Sequence, residues 1–165
     1  MITQNRLLEL FIYQDGQLIW KINKPPAKIG TVIGSNHNDG YLHSRIDRRI
    51  YLLHRLIFLY HKGFLPEFID HIDGNRRNNK IGNLREATRS QNISNSKLKN
   101  NNTSGFKGVS WNKSVNKWVA GIRFNRKKIH LGCFHNKQDA YAVYCEAAKK
   151  YFGEFAKPCF KEDLV

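Results

Sequence analysis

Asp70 and His71 stand side by side, Asn83 follows twelve residues after His71, and Asn92 nine after that, with Arg89 just before it. These side chains suit the hydrolysis of a phosphodiester. That reaction needs a nucleophile near neutral pH, charge neutralisation on the phosphate and help for the departing oxygen. His71 is the candidate general base, because a neutral imidazole takes a proton from water at physiological pH. Asp70 offers hard carboxylate oxygen to Mg2+ or a similar cation, which also binds a phosphate oxygen. Asn83 donates and accepts without adding charge, so it is expected to pin the imidazole. Asn92 offers an amide carbonyl oxygen to the metal, and Arg89 stabilises charge on the phosphate or the leaving oxygen. Neighbouring strand residues point to opposite faces, so Asp70 and His71 share one cleft only if the strand bends or twists.

The elements that must position these groups are legible around them. Phe68 to Ile72 alternates as a short strand carrying Asp70 and His71. An Asn/Arg-rich turn follows, Asn83-Leu84-Arg85 reads as extended, and Thr88 with Gln91 makes a T-x-x-Q capping box that starts a helix. Arg89 and Asn92 then lie three apart on one helix face. Upstream, Gly16–Trp20 and Tyr41–Ile50 read as short strands. From Tyr51 to Lys62, Leu53, Leu56, Ile57 and Tyr60 mark one face of a helix that Gly63 ends. Asp73 is expected to organise the turn before Gly74, His54 to be structural, and Arg76, Arg77 and Lys80 to touch DNA backbone. His37, His43 and His61 carry no assigned role.

The run DHIDGNRRNNKIGNLREATRSQN, with YLLHRLIFLYHKG before it, resembles the HNH endonucleases, and especially the phage and intron-encoded homing enzymes of that family, across some 55 residues. What the resemblance implies is a ββα-metal site. His71 takes the position of the first H as general base, Asn83 that of the N, and Asn92 that of the second H. Asp70 falls at the metal carboxylate and Arg89 at a phosphate-contacting arginine. Many relatives have histidine where this chain has Asn92. Loss of that imidazole favours Mg2+ (or Mn2+) over zinc or nickel.

The chain has 165 residues and a net charge of +15, with 28 Lys plus Arg against 13 acidic residues, and both halves are basic. Such an excess favours a polyanionic partner through phosphate contacts and counterion release. In the second half, 107–111, 117–124 and 127–133 alternate as strands, joined by Asn/Lys/Ser and Asn/Arg turns. Asn136 is a good N-cap with Asp139 in the first turn. Ala140, Val143, Tyr144, Ala147, Ala148, Tyr151 and Phe152 form a helical stripe that Gly153 stops.

Gly108-Val109, Lys117-Trp118-Val119-Ala120, Ile122-Arg123, Leu131-Gly132, Phe134, Ala140, Tyr144 and Ala147-Ala148 make residues 105–156 similar to the DNA-binding domain of plant ethylene-response factors, the APETALA type. That resemblance implies a three-stranded sheet lying in the major groove. By position the contacts are Lys107, Lys117, Arg123, Lys128 and His130, with Trp111 nearby. Ser110 and Asn112 stand where plant members have arginine, so the plant target sequence does not transfer. Lys113, Arg126 and Lys127 lie in turns and hold phosphate.

The expected architecture is α+β in two modules: a nuclease domain over 1–96 with its ββα-metal core at about 66–96, a linker at 97–104, a DNA-binding domain over 105–156 and a tail at 157–165. No apolar run approaches the ~18 residues of a membrane span, and the opening segment lacks the features of a signal peptide. Cys133, Cys145 and Cys159 are widely spaced and odd in number, which fits reduced thiols in a cytoplasmic protein of a bacterial or phage-infected cell and disfavours structural zinc. The expected partner is double-stranded DNA, with no membrane, no small-molecule cofactor, and a monomeric or weakly dimeric state. A non-catalytic DNA-binding regulator and an RNA-binding accessory protein are the competing readings.

Overall fold

The structure, a computed structural model, describes residues 2–96, 98 and 100–157. Lys97 and Lys99 of the expected linker, and residues 158–165 with Cys159, lie outside the described residues. Two compact units divide the chain, Met1–Ala87 and Thr88–Val165.

The first unit opens with a helix that had no sequence expectation. Helix α1 (Gln4–Leu10) is capped by Thr3, whose hydroxyl accepts from the Arg6 amide, and it buries Leu7 and Leu10. Phe11 is already extended, so α1 runs straight into a hairpin of β1 (Phe11–Gln14) and β2 (Gln17–Trp20). The hairpin turns at Asp15-Gly16, both with positive φ, as a two-residue turn between twisted strands requires. A second sheet runs β3 (Ser35–Asn36), β4 (Leu42–Ile46) and β5 (Arg49–Leu52) in that order. The single strand expected over 41–50 is thus two, folded back at Asp47-Arg48, again with φ positive at both positions. Neither Gly nor Asn marks that turn. Asp47 is instead paired with Lys24 and Arg6 from elsewhere in the unit.

Helix α2 (Leu53–Lys62) buries Leu53, Leu56 and Ile57 on the expected face and ends at Gly63, which adopts φ 78°. Among the described residues, these three join Leu7, Leu10, Phe11, Leu18 and Ile46 as the largest fully buried side chains. Phe11 and Trp20 meet at 4.5 Å between ring centroids. Against this core lies the two-stranded ribbon of β6 (Phe68–His71) and β7 (Leu84–Ala87).

The second unit begins with α3 (Arg89–Asn95). Its Thr88–Gln91 capping box is present with both hydrogen bonds made. On sequence grounds this helix was counted with the first half, but it groups with the second unit and packs on α4 (Lys137–Phe152). The three strands β8 (Val109–Asn112), β9 (Lys117–Phe124) and β10 (Lys127–Phe134) form an antiparallel sheet with β9 central. Helix α4 covers one face, starts at the Asn136 cap and stops at Gly153, as the residue pattern indicated. Gly108 lies against Tyr144 of α4. Its φ is +72°, and a Cβ there would sit 2.1 Å from the Tyr144 ring and 2.9 Å from the Gly121 carbonyl oxygen.

Gly108 and Gly30 separate two costs. Gly30 also has positive φ (+81°), but a Cβ there meets no atom within 4 Å. Gly30→Ala is expected to cost about 1–2 kcal/mol from backbone conformation alone. Gly108→Ala adds overpacking of ~1–3 kcal/mol more. Urea unfolding of the two variants beside the parent checks the difference.

Candidate active site

The pairing of β6 with β7 sets the site. Antiparallel register places Asp70 opposite Arg85 and His71 opposite Leu84. Asp70 is buried, and the Arg85 guanidinium donates from Nε to its Oδ2 at 3.0 Å. Only 13 % of the Arg85 side chain and 4 % of the Asp70 side chain is exposed. An ion pair this dry holds its carboxylate in place, and breaking such a buried pair typically costs ~3–5 kcal/mol. Arg85 had no role in the sequence-based expectation. The signal for it was opposite charges at mirrored positions of two strands, which becomes visible once the register is known.

His71 is buried at the end of β6. Its Nε2 lies 3.1 Å from Oδ1 of Asn79, itself buried. With the amide oxygen facing the ring, Nε2 carries the proton and Nδ1 keeps the lone pair. Burial pushes the His71 pKa below its ordinary value, against the opposing pull of the Asn79 hydrogen bond and of Asp73 and Asp70. The ring is therefore neutral at physiological pH and able to accept a proton. The buried Asn79 Nδ2 makes no hydrogen bond.

Asn83, expected from its spacing to pin the imidazole, holds the intervening loop instead. Its Nδ2 donates to Asp73 Oδ1 (3.0 Å) and to the Asn78 carbonyl (2.8 Å), and its Oδ1 accepts from the Asp73 amide (3.0 Å). Asp73 also accepts from the Asn75 amide and the Asn78 side chain, the turn-organising part expected of it. The Ile72 amide donates to the Asn83 carbonyl, and the Gly74 amide to the His71 carbonyl. Loop 72–83 is thus closed on itself and carries Asn79 to the histidine. Asn79 sits in an asparagine-rich run with nothing local to single it out.

A wall of rings flanks His71. His54, on α2, lies at 5.1 Å between centroids and Tyr41 at 6.0 Å, with Tyr41 and His54 5.0 Å apart. The Arg76 guanidinium sits 4.8 Å over Tyr41 and donates to the Asp39 carbonyl at 2.7 Å. Arg76, expected on DNA backbone, thereby ties two loops together, while Arg77 is exposed. Burial, followed by the nearby His71, drives the His54 pKa down to about 3.

Arg89 and Asn92 stand three apart on α3, in the second unit. Lys107 is committed locally: its ammonium donates to the carbonyls of Ile93 (3.3 Å), Ser94 and Ser96 (2.7 Å) at the end of α3. Helix ends leave such carbonyls without partners, and a lysine is a fitting one. On the sheet, Arg123 pairs with Lys128 and His130 with Gly121. By strand alternation Lys117, Arg123, Lys128 and His130 therefore share the face away from buried Ala120 and Ile122. Trp111 pairs with Trp118, two residues from the Val109–Ala120 pair. It therefore lies on the opposite face from those four, in edge contact with Trp118 at 5.1 Å.

The HNH endonuclease family model matches residues 51–93, from Tyr51 in β5 through Ile93 in α3. Protein 3.8 of Escherichia phage T7 is 49% identical over 90 residues, covering 54% of this chain and 74% of that protein. An uncharacterized HNH endonuclease of Acanthamoeba polyphaga mimivirus is 35% identical over 109 residues, 64% of this chain and 56% of its own length. YosQ of Bacillus subtilis, named for an SPbeta prophage-derived HNH homing endonuclease, is 34% identical over 84 residues, 50% of this chain and 49% of its own. The chain thus spans about half the length of these last two relatives. No solved structure matches. The chain carries an HNH endonuclease domain over residues 51–93. Among the described residues, no helix is long and apolar enough to cross a membrane.

His54 gives a test of the buried ring wall. Its folded pKa of about 3 lies below the ordinary 6.5, so between those values the unfolded chain binds a proton that the folded one does not. Stability contributed by the neutral ring is present above pH 6.5 and is lost as pH falls, by about 1.4 kcal/mol per pH unit. His54→Phe is expected to flatten the stability-against-pH curve between pH 7 and 5 by one proton's slope, measured by urea unfolding at each pH.

Proposed function

We propose that this chain is a metal-dependent DNA endonuclease of the homing type that hydrolyses phosphodiester bonds in duplex DNA. The observation that carries the reading is the neutral, buried His71, held by Asn79 so that Nδ1 keeps its lone pair, beside the Asp70–Arg85 pair. The family match over 51–93 and the phage and prophage relatives support it.

His71 Nδ1 takes a proton from the attacking water as the new oxygen–phosphorus bond forms and the bond to the leaving oxygen breaks. Asn79 keeps the ring in the tautomer that makes this transfer possible, and Arg85 orients the Asp70 carboxylate. Arg89 stabilises the charge that builds on the phosphate. Asn83 acts through the loop it closes. By residue chemistry, Asp70 would offer the cation carboxylate oxygen and Asn92 amide oxygen, which would suit Mg2+ or Mn2+. When bound, that cation neutralises charge on the scissile phosphate.

The second unit docks the enzyme on duplex in the manner of an ethylene-response-factor domain. Its open sheet face brings Lys117, Arg123, Lys128 and His130 to the DNA, while Lys107 and Trp111 serve α3 and the helix-covered face. One active site per chain makes a monomer a nickase by default, and cutting both strands needs a dimer or a second event, in the cytoplasm of a bacterial or phage-infected host cell.

Two measurements test the chemistry. On phage DNA carrying the target, His71→Ala is expected to lower the cleavage rate by ~10²–10⁴-fold with DNA affinity unchanged, and EDTA is expected to abolish cleavage by the parent. Binding without metal-dependent cleavage by the parent would favour a non-catalytic DNA-binding regulator. Asn79→Asp places a carboxylate beside Nε2 and favours the imidazolium. The acid limb of its pH–rate profile is expected to move to higher pH than that of the parent. A variant that merely loosened the loop would lower the rate without moving the limb.

A further inference from the structure

The hairpin between β3 and β4 gathers His37, Asp39 and His43, whose ligand atoms all lie within 4.8 Å of one another. The Asp39 carboxylate is bracketed by the two rings, with Oδ1 3.4 Å from His37 Nδ1 and Oδ2 2.9 Å from His43 Nε2. The rings themselves stack at 4.2 Å. Backbone geometry holds this arrangement in advance. The Tyr41 amide donates to Asp39 Oδ1 (2.9 Å), the His37 amide to the Tyr41 carbonyl (3.2 Å), and the Gly40 amide to the His37 carbonyl (3.0 Å). Strand register fixes His43 opposite Ser35, just before the loop.

One divalent cation between the two rings and the carboxylate would satisfy all three together. Two imidazoles and one carboxylate, with solvent access for a fourth ligand, are a donor set that zinc takes and magnesium does not. The side chains are 57 %, 42 % and 18 % exposed for His37, Asp39 and His43, so that fourth position opens to water. We propose that His37, Asp39 and His43 form a zinc-class metal site, separate from the Asp70 carboxylate of the candidate active site. Zinc there would brace the loop from which the Asp39 carbonyl holds Arg76 and Tyr41 reaches the His71 ring.

The experiment uses the full chain titrated with ZnCl2, read by two-dimensional imidazole 1H–15N NMR and by calorimetry. One equivalent of zinc is expected to shift His37 Nδ1 and His43 Nε2. Mg2+ at the same concentration is expected to leave both rings unmoved. The His37→Gln/His43→Gln variant is expected to bind zinc at least ~100-fold more weakly, beyond the loss typical of an outer-shell partner, with an unchanged circular dichroism spectrum. His37→Gln alone, at the most exposed of the three positions, gives the same loss should the double variant misfold. Zinc shifts confined to other histidines, equal affinity in the variants, equal shifts with Mg2+, or no binding would each overturn the site.

Discussion

Taking a carboxylate and an imidazole out of water at the end of a four-residue strand is the constraint around which the first unit is arranged. Neither group is tolerated in a dry environment without a partner, and each has one from a different place. Arg85 reaches Asp70 directly across the ribbon, because antiparallel register sets them opposite. Asn79 reaches His71 from the loop that joins the two strands. The apolar packing of α1, α2 and the β1–β2 hairpin gives the ribbon its support. The polar partners decide the state in which the two groups arrive.

The loop does more than connect. Twelve residues of mostly polar chain would have a high ordering cost if left unlaced. Asp73, Asn78 and Asn83 bind one another and the loop backbone, so the segment closes on itself before it meets anything else. Only such closure lets a residue as short as Asn79 hold an imidazole at a defined angle. On its outer side, Arg76 ties the same loop to the β3–β4 hairpin through Tyr41 and the Asp39 carbonyl. The histidine therefore sits between two loops that are each rigid for reasons of their own.

The second unit shows how a basic chain divides its charge between support and surface. Lys107 is spent on the carbonyls at the end of α3, where a cation answers the unpaired acceptors. Arg123 and Lys128 face each other across β9 and β10 on the open side of the sheet. Composition treats these residues alike. The strand ladder and the helix terminus separate them.

Much of the fold was legible without coordinates wherever the cause was local. The Thr88 capping box, the Asn136 cap, the αL glycine after Lys62, the stripe of α4 and the strands around Asp70-His71 and Leu84-Arg85 each rest on residues within a turn of one another. The first helix and strand escaped notice because α1 passes into β1 at Phe11 with no glycine or proline between. The turn at Asp47-Arg48 escaped because its support comes from Lys24 and Arg6, far along the chain. The amino-acid sequence by itself determined which residue types lie near the candidate chemistry and on what elements. Tertiary structure alone decided that Asn79 rather than Asn83 holds His71, that Arg85 holds Asp70, that Lys107 caps a helix, and that Trp111 turns away from the basic face. The reason is that each of those outcomes depends on strand register or loop closure, and both are set by packing between residues that local patterns do not connect.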